Sequence, residues 1–144
     1  MNDKQRMVEE FRHDLQMVGR YMETSGFRYV PELDVVTPTM VALAYVGRHV
    51  AFIFTFAFRN QVVDASVMRC IEGKLTPGGE DGYSARLVAY LVNHCDFRGQ
   101  LRPMPGLPDT ASKTARDLSA LVSLLLLPCS SKLLADKPDS LPKR

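Results

Sequence analysis

Three consecutive apolar runs lie between residues 39 and 71, joined by two very short polar breaks, and they confine the chain to folds that contain an antiparallel β meander. The breaks are Gly47-Arg48 and Arg59-Asn60, which divide the stretch into strands at 40–46, 49–58 and 61–71. Gly-Arg suits a tight turn with glycine at the position of positive φ, whereas Arg-Asn lacks a glycine and also fits a longer loop.

Those turns imply a register. In the first pair Leu43 faces Phe52 and Val41 faces Phe54; in the second Phe52 faces Val67, Phe54 faces Ala65 and Phe56 faces Val63. Side chains alternate along a strand, so one side of the sheet collects Val41, Leu43, Tyr45, Phe52, Phe54 and Phe56 as its core face. A slip of one residue would scatter this set. The other side carries small, mostly uncharged residues such as Ala42, Ala44, Thr55, Ala57 and Ser66, a face that calls for a cover supplied by later helices, a second copy or a partner.

The flanking segments read as helices. Val8, Phe11, Leu15, Val18 and Met22 form one apolar stripe over residues 3–24, with Asn2 or Asp3 as cap and Gly26 as the left-handed stop. Pro31 and Pro38 make residues 27–36 an extended connector into the sheet, with room for an edge strand. A second helix is expected over 84–97, with Leu87, Val88, Leu91, Val92 and Cys95 inward. A proline-rich connector follows at 100–108, and a last helix over 109–127 is capped by Asp109 and carries Ala115, Leu118, Val122 and Leu125 on its stripe. The expectation is therefore an α+β fold in two layers: an N-terminal amphipathic helix, a three-stranded antiparallel meander and two C-terminal helices. Residues 1–135 make a single domain, and a disordered tail covers 136–144.

At 144 residues, with 46% hydrophobic and 24% charged side chains, such a chain builds an ordinary core without staples. Its net charge of +2 does not by itself point to nucleic acid. Cys70, Cys95 and Cys129 have neither even number nor metal-ligand spacing, which suits reduced thiols and a cytoplasmic location. The charged opening segment argues against a signal peptide, and no apolar run approaches the ~20 residues that cross a bilayer. Neither a metal nor a cofactor is called for.

Chemistry-bearing patterns are sparse. Gly73-Lys74-Leu75-Thr76 has the look of a phosphate-binding loop but lacks the earlier glycine and places Leu75 where Ser or Thr should bind a metal. His94, Cys95 and Asp96 diverge by ~100° per residue on a helix and make no triad. His49, Asp64 and Cys70 share the small-residue face, with His49 opposite Cys70 and Thr55 opposite Asp64, and form the one enzyme-like set. Nucleic-acid binding would draw on Arg28, Arg48, Arg59, Arg69, Arg98 and Arg102, with Tyr29, Tyr45 or Phe58 stacking on bases.

An amphipathic helix ending in Ser25-Gly26-Phe27, then a meander of hydrophobic strands and a further helix, resembles in architecture the small immunity proteins of bacterial polymorphic toxin systems, over residues 5–97. The resemblance implies a non-enzymatic cytoplasmic protein that neutralises a cognate toxin by covering its active site or binding beside it. It carries over no individual residue, and the same architecture also resembles secretion chaperones. The expected partner is thus a protein, with a homodimer and a single-stranded nucleic acid as alternatives and no membrane. Arg48, Arg59, Asp64 and Glu80 are the partner-binding candidates, as polar residues on turns, loops or the less hydrophobic face.

Overall fold

The computed structural model describes residues 2–75 and 84–136. It is an α+β fold in which helices pack on one face of a mainly antiparallel sheet. Helix α1 (Asp3–Val18) starts at Asn2, whose side chain accepts the Gln5 N–H while Gln5 returns a bond to the Asn2 N–H. The single helix expected over 3–24 is broken: α2 (Arg20–Thr24) follows Gly19, where a Cβ would lie 2.7 Å from the Tyr45 hydroxyl. Glycine at 19 leaves room against the helix for the buried Tyr45 ring. Gly26, at φ +95°, ends the segment as expected.

The sheet has more strands than the meander alone. The connector supplies β1 (Arg28–Tyr29) and β2 (Val35–Val36), with a 3₁₀ turn at Pro31–Leu33 between them, and both pair with β3 (Met40–Val46). Then come β4 (Val50–Ala57) and β5 (Val63–Ile71), followed by β6 (Lys74–Leu75) and β7 (Ser84–Arg86), each paired with β5. Short strands on both edges add pairing that period-two patterning over two or three residues cannot announce.

The second hairpin has the expected register, Phe52 opposite Val67, Phe54 opposite Ala65 and Phe56 opposite Val63. Its loop is longer than two residues. The last pairing bond runs from the Ala57 N–H to the Val62 carbonyl, and Gln61 takes φ +54°. The first hairpin is displaced by two: Leu43 faces Phe54, Val41 faces Phe56 and Tyr45 faces Phe52, and the turn is Arg48-His49 between Gly47 and Val50. A shift of two preserves the side of the sheet each residue occupies, so the core face is the expected one. Gly47 serves close approach rather than positive φ, since a Cβ there would stand 2.7 Å from the Phe27 ring and 2.9 Å from the Asp136 carboxyl carbon.

Glu72 and Gly73, both at positive φ, make a two-residue turn between β5 and β6. That is the structural role of the glycine in the Gly73-Lys74-Leu75 stretch. The expected 84–97 helix begins instead with β7 and continues as α3 (Leu87–His94), because the edge of β5 captures residues 84–86. Leu87 and Leu91 are buried, but Val92 points outward and is 49% exposed.

The last helical region is also redrawn. Helix α4 (Lys113–Ser123) is capped by Ser112, not Asp109, and passes through 3₁₀ turns at Leu124–Leu126 and Pro128–Ser130 into α5 (Ser131–Leu134). Ala115, Leu118, Val122 and Leu125 are buried as the stripe requires, whereas Leu126 is 54% exposed. The proline-rich connector runs against this helix through Met104 N–H to Ser119 Oγ at 2.7 Å and Ser123 Oγ to the Arg102 carbonyl at 2.9 Å.

One core joins the helices to one sheet face, where Tyr45, Phe52, Phe54, Phe11, Leu87, Leu91 and Leu118 are all essentially sealed from solvent. No described helix is long and apolar enough to cross a membrane.

Candidate functional site

At one end of the sheet, pairing brings together residues that are far apart in sequence. Arg28 lies beside Val46, the Arg48-His49 turn follows, Arg69 lies beside Val50, and Lys74 lies beside Ile71. The turn is tied to β6 by the Gly73 N–H donating to the Arg48 carbonyl at 2.9 Å. Arg28 and Arg69 are three strand spacings apart, about 15 Å. Arg28, Arg48 and Lys74 are exposed and Arg69 is half-buried, and none of the four enters an ion pair among the described residues. A surface depression beside Arg28 is lined also by Gln16, Glu23, Phe27, Tyr29 and Pro31.

The carboxylate of Asp136 closes this end from below. It accepts the N–H groups of Arg48 at 2.5 Å, His49 at 2.7 Å and Val50 at 2.9 Å, so three consecutive amides converge on one anion. Asp136 is therefore a fixed part of the fold and not the start of a disordered tail; residues 137–144 lie outside the described residues. Cys70 is buried next to the turn, its thiol donating to the Gly47 carbonyl at 3.4 Å. Burial, reinforced by the nearby Asp136 charge, pushes the thiol up to about 11.

A second polar cluster lies between α1 and the connector. Arg12 donates to Tyr29 Oη from Nε and to Asp34 Oδ2 from Nη2, each at 3.0 Å, and to Glu9 at 2.5 Å, while the Tyr29 hydroxyl donates to Asp34 Oδ2 at 2.6 Å. The bond to Tyr29 raises the guanidinium further above its usual range, and burial, helped by the Asp34 bond, raises Tyr29. Every strong donor is used inside the cluster, which makes it a weld between helix and connector.

The four partner-binding candidates do not form one patch. Arg48 belongs to the cationic end; Arg59 stands at the other end of β4, about 25 Å along the strand. Asp64 is engaged by Arg86 at 2.5 Å and by the Ala65 N–H at 2.8 Å. Glu80 lies outside the described residues.

The enzyme-like set is likewise divided. The Cys70 N–H does donate to the His49 carbonyl at 2.9 Å, and Thr55 does face Asp64. Asp64, however, is six residues from Cys70 on the same strand, about 20 Å away. Among the described residues no group of three or more His, Cys, Asp and Glu side chains is placed to hold a metal ion.

The stacking platform imagined for nucleic acid is internal. Tyr45 is 0% exposed and Phe58 8%, and Tyr29 is held in the Arg12 cluster. Arg98 pairs with Asp96 at 2.9 Å away from the cationic end. That Arg28 and Lys74 stand at the same end of the sheet as Arg48, on opposite faces of it, could not be read from the sequence, because it depends on β1 and β6, strands of two residues each.

Fold and site thus define a helix-backed α+β sheet with one cationic end and one face that the helices leave bare. Comparison with protein-family models, curated proteins and solved structures returns no match for this chain.

Proposed function

We propose that this chain is a non-catalytic protein-binding domain, an immunity-type inhibitor that neutralises a cognate toxin by direct binding, and that its cationic sheet end meets an acidic surface on that toxin. The observation that carries the reading is that Arg28, Arg48 and Lys74 stand exposed at one end of the sheet, none of them in an ion pair among the described residues, around a turn fixed by Asp136. Such an end steers an acidic protein into contact and costs little to desolvate at its rim. The turn itself is fixed by Asp136, so binding there does not have to order a loose loop. Burial of Tyr45 and the core phenylalanines favours a protein over a single-stranded nucleic acid, since among the described residues no stack of aromatic rings accompanies the arginines.

The test is isolation of the protein with whatever binds it in its host, followed by expression of that partner with and without this chain. Cells that survive a co-purified toxin domain only in the presence of the chain are the expected outcome. Equal survival in both cases overturns the reading.

A further inference from the structure

Where the turn at the cationic end meets Asp136 it presents hydrogen-bond donors alone. We infer that the backbone of Arg48, His49 and Val50 is a carboxylate-binding site, that Asp136 fills it in cis, and that a carboxylate from outside the chain competes with Asp136 for the same three amides.

Hydrogen bonding around the turn selects an anion. Every carbonyl from 47 to 50 is taken by the chain itself: that of Gly47 by the Cys70 thiol at 3.4 Å, of Arg48 by the Gly73 N–H at 2.9 Å, of His49 by the Cys70 N–H at 2.9 Å and of Val50 by the Gly47 N–H at 2.8 Å. Three consecutive N–H groups remain, a concavity that accepts an anion and offers nothing to a cation. The group seated there is of that kind. Asp136 Oδ2 accepts from Arg48 at 2.5 Å, and Oδ1 accepts from His49 at 2.7 Å and Val50 at 2.9 Å. Among the described residues no Lys or Arg side chain pairs with this carboxylate, so the amides alone hold its charge.

Room for a carboxyl group is built into the end of β3. A Cβ on residue 47 would stand 2.9 Å from Asp136 Cγ and 3.0 Å from its Oδ1, so glycine there keeps the seat open.

Asp136 is also delivered by an element that the sheet does not need. It follows α5, a helix of four residues joined to the core through buried Leu133 and half-buried Leu134, and it belongs to no strand. Exchange of its carboxylate for another therefore leaves the register, and the fixed shape of the turn, as they are. Arg48 and Lys74, exposed and outside every ion pair among the described residues, draw anions to the mouth. A tethered carboxylate competes at an effective concentration of roughly millimolar or above, and the apparent affinity for an outside one falls by the fraction of turns that Asp136 leaves free. The C-terminal segment is thus a latch on the cationic end. For the proposed function this names the group that a partner would present, an Asp or Glu side chain, while the chemistry of the turn is tested with acetate and needs no toxin.

Amide NMR spectra of the full chain recorded during titration with sodium acetate decide it, at about pH 7 where acetate is ionised and with sodium chloride at equal ionic strength as the reference. In Asp136→Ala, acetate up to about 200 mM should move the amides of residues 48–50 along a saturating curve that chloride does not reproduce, and the wild type should respond at least about tenfold more weakly. Asp136→Asn, which leaves a neutral carbonyl at the turn, should respond between the two and guards against a loss of fold in Asp136→Ala. Amides 48–50 that stay unmoved in a folded Asp136 variant, or responses of equal strength in wild type and variant, overturn the inference. Failure of the chain to protect cells from a toxin would remove the proposed function and leave this result standing, and the reverse holds as well.

Discussion

Asp136 accepts the backbone N–H of His49 at 2.7 Å across 87 residues of chain, and with the amides of Arg48 and Val50 it fastens the last described residue to a two-residue turn of the sheet. Replacing Asp136 with Ala leaves three turn amides without their acceptor. The expected cost is about 1–3 kcal/mol, read as a lower urea midpoint with an unchanged slope. Asp136→Asn keeps one carbonyl acceptor and should lose less. Equal stability of wild type and Asp136→Ala would show that water replaces the carboxylate at no cost.

Gly47 and Gly26 separate two reasons for a glycine. At Gly47 an added Cβ collides with Phe27 and Asp136, so Gly47→Ala should cost about 1–3 kcal/mol through displaced packing. At Gly26 nothing lies within 4 Å, and the loss, roughly 1 kcal/mol, comes only from φ +95°. Thermal unfolding of the two variants should rank them in that order.

The Arg12, Tyr29 and Asp34 cluster predicts coupling. Tyr29→Phe removes one donor to Asp34 and one acceptor from Arg12, and should cost about 1 kcal/mol. Arg12→Met in the same background should cost less than it does alone, since the two side chains share Asp34 as partner. A double-mutant cycle in denaturant measures this, and strict additivity would refute it.

Alkaline pH should weaken the fold in a definite window. Burial disfavours the charged forms of Cys70, held at about 11, of Tyr21, held at about 12, and of Tyr45, which is raised as well. The folded protein thus keeps protons that the unfolded chain releases from about pH 8.5 for thiols and about 10 for phenols. Stability is full below that range and falls as pH rises through it towards the folded values. Cys70→Ala should flatten the part of the decline below about pH 10, measured by urea unfolding at pH 7.5, 9 and 10.

The core face of the sheet was legible because Phe52, Phe54 and Phe56 alternate with smaller residues, and that alternation survives a register error of two, which is the error made at Gly47. The helical stripes were legible for the same periodic reason. Edge strands were not: β1, β2, β6 and β7 are two or three residues long, and their pairing is set by tertiary contact with β3 and β5. The break at Gly19 and the helix cap at Ser112 also depend on distant groups, Tyr45 and Asp14. Of the candidate site, Arg48 was readable from its turn, but its neighbours Arg28 and Lys74 arrive through just those short strands. Asp136 reads locally as tail and acts as a tether.

The proposed function rests on the cationic end, and the affinity of the purified chain for any toxin domain that co-purifies with it tests that most directly. Titration calorimetry at 50 and 300 mM salt should show binding that weakens with salt, and an Arg28→Glu, Arg48→Glu double variant should bind at least tenfold more weakly with a flatter salt response. Affinity unchanged by the double charge reversal would contradict it.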